Sequence, residues 1–258
     1  MGLAQALAVG FVPALLWLWV FWRKDRWERE PKTLVLRTFL LGAVSAGPIY
    51  LLEGHLPLPP TVFGEFFVRV ALVEEWFKIL PVLWLALRHT EFDEPMDGVV
   101  YGAAAALGFA GAENAVYAIQ SGGLLSLSRA FTSTVMHVAL TGMVGYAIGM
   151  ARFGRGYRSV VALSAFFAAV TIHGGYNFFI AIGSLPEAPD WIARVAILVL
   201  IPSMLILLSH AMREAVKLSP HRRLVIRSES TSGASEISSM NEATTERSTC
   251  STSRDSRM

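Results

Sequence analysis

Seven runs of roughly 20 apolar residues follow one another along this chain, the length an α-helix needs to cross the hydrocarbon core of a bilayer. They cover approximately residues 3–22, 34–52, 62–87, 97–119, 130–151, 159–182 and 191–211. Barrel strands are shorter and alternate in polarity, so these continuous runs exclude a sheet-based membrane fold. The expectation is an all-α, polytopic membrane helix bundle with about seven transmembrane helices. Composition agrees, with 53% of the 258 residues hydrophobic and 16% charged, as expected of a membrane protein. The first run has no basic residue before it and a basic cluster after it, so it reads as a first transmembrane helix and not a cleaved leader. The single cysteine, Cys250, leaves no intrachain disulfide and no multi-cysteine metal site.

Loop charges set the orientation. Basic residues crowd "RKDRWEREPK" after the first segment, Arg152, Arg155 and Arg158 after the fifth, and Arg213, Lys217, Arg222, Arg223 and Arg227 after the seventh. The alternate loops "EGHLPLPPT", "QSGGLLSLSR" and "GSLPEAPDW" are poor in Lys and Arg. By the positive-inside rule the N-terminus lies outside and the C-terminus in the cytoplasm. The loop "RHTEFDEPMD" is mostly acidic, and acidic residues carry little weight in that rule. The Arg-rich loops suit anionic lipid headgroups, and no nucleic-acid partner is expected. Residues 1–215 are read as the transmembrane domain, and 216–258 as a basic juxtamembrane segment followed by a disordered, Ser/Thr-rich cytoplasmic tail. Small residues mark packing faces: "GAAAALGFAGAEN" in the fourth segment, which is expected to be central, and Gly145-x-x-x-Gly149 in the fifth.

Within these apolar runs sit ionisable residues, each costing roughly 2.5–3.5 kcal/mol on insertion scales. The third segment holds "LVEEWFKIL", with Glu74, Glu75 and Lys78. The fourth has Glu113 and Asn114, the fifth His137, and the sixth His173 and Asn177. Spacings of three and four residues put Glu74, Glu75 and Lys78 on one helix face, as they do His173 with Asn177 and His137 with Thr141. Glu113, His137 and His173 lie roughly 9–14 Å below the outer ends of their segments at about 1.5 Å per residue, and Glu74 roughly 18 Å below its own. Lys78 neutralises one carboxylate and leaves the other in excess, as a general base for water would require. The bland alternative is a buried ion pair among hydrogen-bonded core histidines. Arg69 with Glu65 reads as a structural pair. Three carboxylates and two imidazoles at nearby levels carry more information than any member alone.

In this order on consecutive segments, "EEWFK", "FAGAEN", "HVALTGMVGYAIG" and "HGGYNF" resemble the PrsW family of intramembrane proteases. They are more distantly similar to the type II CAAX prenyl endopeptidases, which share a double-Glu motif and a His-x-x-x-Asn motif. The resemblance covers about residues 1–215. It implies hydrolysis of a peptide bond in a membrane-anchored protein, such as the anti-sigma factor cut by the founding member, in the bacterial inner membrane. Carried onto this chain, it implies that Glu74 or Glu75 activates water, with Lys78 beside them. His137 and His173 would bind a metal or polarise that water, and Asn177 would donate to the oxyanion. Glu113 stands where the prenyl endopeptidases have a His. Two His and one Glu satisfy the ligand count of a catalytic divalent metal such as zinc, so Glu113, His137 and His173 form the expected metal set. A proton-coupled transporter would also carry intramembrane Glu and His, but its usual repeats and matched broken helices are not visible. An inert relative that acts by binding would be expected to lose a site residue, and all four motifs are intact.

Overall fold

The computed structural model describes residues 2–25, 29–121, 123–153, 158–187, 189 and 191–219; the tail beyond lies outside the described residues. The described residues form helices and no strand. In chain order these are α1 (Leu3–Lys24), α2 (Lys32–His55), α3 in three continuous segments (Gly64–Leu72, Val73–Pro81 and Val82–Ala86), α4 (Pro95–Ser121), α5 (Gly123–Phe153), α6 (Arg158–Gly183), and α7, also in three segments (Trp191–Val195, Ala196–Leu200 and Ile201–Leu218). Six of the seven are long and apolar enough to span a membrane on composition alone. The exception is α3, whose Glu65, Arg69, Glu74, Glu75 and Lys78 dilute its apolar character.

As expected, α4 is central. It is buried along most of its length and packs against α5, α1 and α2. In lipid, helices associate mainly through close van der Waals contact and polar bonds, so small residues at the seam decide how near two backbones come. Gly98 and Gly145 face each other so closely that a Cβ on either would lie 2.1 Å or 1.9 Å from the other's carbonyl oxygen. Gly149 of the same motif abuts Pro95. On the opposite side, Gly108 meets the backbone of Phe39, and Gly42 meets that of Ala105.

In α3 the segments Gly64–Leu72 and Val82–Ala86 have the wider π-type turn, with Val73–Pro81 α-helical between them. Pro81 closes the α-helical segment, since its ring removes one hydrogen-bond donor; the Leu87 amide then bonds five residues back, to Val82. The outer segment leans chiefly on α6, leaving a space between it and α4.

Two helices outrun their apolar segments. α5 begins at Gly123 rather than near 130, so most of "QSGGLLSLSR" is helical, and α7 continues to Leu218. Polarity marks where a helix leaves the hydrocarbon. It does not stop backbone hydrogen bonding, which Ser, Leu, Arg and Lys all support.

At the end of the bundle that carries the basic α1–α2 connection, a short polar assembly ties that connection to α4. The Tyr101 hydroxyl donates to Glu30 Oε2, the Glu30 amide donates to Asp25 Oδ2 at 3.1 Å, and Trp22 Nε1 donates to the Glu30 carbonyl at 2.8 Å. Asp97 Oδ2 accepts from the amides of Asp93 and Glu94, each at 2.7 Å. Burial pushes the Glu30 carboxyl up to about 7, Asp25 and Asp93 push the same way, and the bonds with Asp97 and Tyr101 oppose them. Phe92 stacks on Tyr101 and Phe153 and roofs this assembly.

Candidate active site

The charged residues of α3 meet the histidines of α5 and α6 in one buried cluster. Lys78, fully buried, lies 2.8 Å from Glu75 Oε1, 3.0 Å from Glu74 Oε2 and 2.8 Å from His137 Nδ1. Its ammonium sits 4.5 Å from the centre of the Phe109 ring. A lone ammonium this deep would cost several kcal/mol, and these four neighbours replace its water. The Glu74 contact is a close charge pair whose angle is poor for a hydrogen bond.

Glu75 is saturated. Its Oε1 receives Lys78 and, at 2.9 Å, His173 Nδ1; its Oε2 receives the Thr141 hydroxyl at 3.2 Å. A carboxylate on Nδ1 fixes the proton there and leaves the Nε2 lone pair of His173 available. That Nε2 is 3.7 Å from Glu74 Oε2. Since Lys78 can only donate, His137 Nδ1 accepts, and its Nε2 hydrogen points to Glu113 Oε2 at 3.0 Å. Ser133 also reaches Glu113, at 3.4 Å. The two imidazoles stand edge to face, with centroids 5.1 Å apart. The neighbouring Asn114 is buried and donates to Thr134 at 3.0 Å.

Glu74, Glu75, Lys78, Glu113, His137 and His173 therefore all meet in this cluster. Glu74 reaches the level of the histidines because the wide outer turns of α3 advance less per residue than an α-helix does. Arg69 pairs with Glu65 and also donates to the Glu53 carbonyl. Two further residues carried no strong sequence signal: Phe109 is an ordinary helix residue whose role appears only in contact, and Glu53, on the cavity wall, looked like part of a loop but belongs to α2.

A cavity of about 400 Å³ opens above the cluster on the side that the loop charges assign to the exterior. Glu74, Glu113 and Asn177 line it, together with residues of α2 and the outer segment of α3. Glu75, Lys78, His137 and His173 lie behind that wall.

Glu74, His137 and His173 each offer a ligand atom, all within 4.8 Å of one another and all buried. Two imidazoles and one carboxylate match a divalent transition metal in donor type and number. His137 would exchange one of its present contacts to supply its lone pair. Glu113 is bonded to His137 Nε2 and stands beside this trio.

An intramembrane cluster of carboxylates and imidazoles beside a cavity is the kind of arrangement a membrane-embedded hydrolase requires. The model of the PrsW family, described as an intramembrane metalloprotease, matches residues 30–207. Protease PrsW of Geobacillus kaustophilus and that of Oceanobacillus iheyensis are each 33% identical over 177 residues, 67% of this chain and 79% and 82% of theirs. Protease PrsW of Bacillus subtilis is 31% identical over 215 residues, 82% of this chain and 94% of that one. No solved structure matches. The chain belongs to the PrsW family and is an intramembrane protease, a multi-pass protein of the cell membrane.

Proposed function

We propose that the protein hydrolyses a peptide bond of a membrane-anchored protein, at a step of regulated proteolysis such as the cutting of an anti-sigma factor, with water activated at Glu74. The observation that carries this reading is the division of labour between the paired carboxylates. Glu74 lines the cavity, whereas Glu75 is buried with both oxygens engaged. A general base must reach the water that it deprotonates, and Glu74 is the carboxylate that can. Glu75 acts as a positioning residue that holds His173 in one tautomer. Lys78 holds the two carboxylates together as their shared cation. Asn177, on the cavity wall, is placed to donate to the developing oxyanion.

His137, His173 and a carboxylate would hold a divalent metal, zinc being the chemically natural choice for two imidazoles and one carboxylate. Glu113, bonded to His137, would complete the ligand set, leaving Glu74, which lies within reach of both imidazoles, as the base for water. Bound there, the metal would supply Lewis acidity toward water and the scissile carbonyl. With the N-terminus outside and the C-terminus in the cytoplasm, as the loop charges suggest, the cavity mouth would face the exterior.

The test is cleavage of single-pass membrane substrates by the purified protein in proteoliposomes, with metal content measured on the same samples. Wild type should cleave, Glu74→Gln should lose cleavage while keeping its melting temperature, His173→Ala should lose cleavage with a lower melting temperature, and a chelator should remove activity together with bound metal. Equal cleavage by wild type and Glu74→Gln would remove Glu74 from the mechanism.

A further inference from the structure

The charged side chains that line the cavity are all acidic: Glu53, Glu65, Glu74 and Glu113. Three of them have cationic or imidazole partners. Glu65 holds Arg69, Glu74 lies against Lys78, and Glu113 bonds His137. Glu53 differs. Arg69, the cation beside it, donates to the Glu53 backbone carbonyl and to the Glu65 carboxylate, not to the Glu53 side chain. Glu53 Oε1 is shielded from solvent and has no hydrogen-bond partner among the described residues. A carboxylate in an apolar wall, in a cleft of one sign of charge, raises the local concentration of a complementary cation. It also leaves a buried acceptor unmet until such a cation arrives.

Resting on the protease reading, we infer that Glu53 is a specificity-determining residue, which selects substrate segments carrying Lys or Arg on the outer side of the scissile bond. The geometry sets the spacing. Arg69 ties Glu53 to the stretch of α3 between Glu65 and Arg69, five to nine residues above Glu74. At no more than about 1.5 Å per residue this is roughly 7–13 Å, the length of about two to four residues of extended peptide. A substrate strand with its scissile carbonyl at Glu74 therefore brings the side chain two to four residues outward to Glu53. Arg or Lys there gains a charge-assisted bond, while Glu or Asp meets like charge.

The experiment uses full-length protein in proteoliposomes and one single-pass substrate whose cleavage position has been mapped by mass spectrometry. Lys, Gln or Glu is placed singly at each of the three outward positions, and kcat/KM is compared among them. Wild type should prefer Lys to Glu by on the order of tenfold at one of these positions. Glu53→Gln should bring that ratio close to one, and Glu53→Lys should invert it. A wild-type ratio near one at every position, or the same ratio in all three enzymes, overturns the inference and leaves the protease reading intact. Absence of cleavage by wild type on any substrate removes the protease reading and this inference together.

Discussion

The molecule buries carboxylates at two levels and treats them differently. In the centre, Glu74 and Glu75 are balanced by Lys78 and two imidazoles, and the group borders a cavity. At the end that carries the α1–α2 connection, Glu30 and Asp97 are held by the Tyr101 hydroxyl and by backbone amides, beneath a cover of Phe92. At the centre one ammonium faces two carboxylates, and one of the two, Glu74, reaches the cavity where water can enter. The assembly at the α1–α2 end bonds the same side-chain type as a structural clasp, and desolvation brings the Glu30 carboxyl to about 7. Burial alone therefore does not mark a catalytic carboxylate; a counter-charge together with access does.

Breaking the central balance should have the largest effect. Lys78→Met leaves two buried carboxylates without their cation and should cost about 3–5 kcal/mol, read as a lower melting temperature in detergent together with complete loss of cleavage. Glu74→Gln keeps the shape and removes the base, so cleavage should fall by about 10²–10⁴-fold with little change in melting; a large melting shift would make Glu74 structural, like its counterparts in the clasp. The clasp should respond to pH. Because Glu30 titrates at about 7 in the fold against 4.5 ordinarily, it binds extra protons when folded. Its stabilisation is present below about 4.5 and lost as pH rises through about 7, a change of roughly 3–4 kcal/mol at most. Glu30→Gln should flatten that slope in a denaturation series across this range. Tyr101→Phe should cost about 1 kcal/mol through one lost hydrogen bond, and activity per folded molecule should not change. A loss of turnover there would show that the two regions are coupled.

The bundle was legible in the sequence because lipid makes a simple demand: an apolar run of fixed length must be a helix. The central cluster was legible for the converse reason, since charge inside such a run needs a partner, and i,i+3 and i,i+4 spacing showed which residues share a face. The clasp was not, because Asp25, Glu30 and Asp97 lie at segment ends where charge carries no penalty and therefore no signal. Glu53 was missed in the same way. The split between Glu74 and Glu75 could not be read either: neighbouring residues of one type differ only through what Thr141 and His173 present to them across helices.

The central position of α4 has a consequence for how the protein is made. Of the six helices that qualify as spans on composition, α4 is the least apolar and the most enclosed. Its glycines and alanines give lipid little to hold, and its value lies in backbone contact with α1, α2 and α5. During synthesis α1 and α2 emerge first, so α4 can leave the translocon against a surface already shaped for it. Helices synthesised in the reverse order would offer α4 only lipid at that moment, and a circular permutation that separates α4 from α1 and α2 should stall at insertion before any question of folding arises.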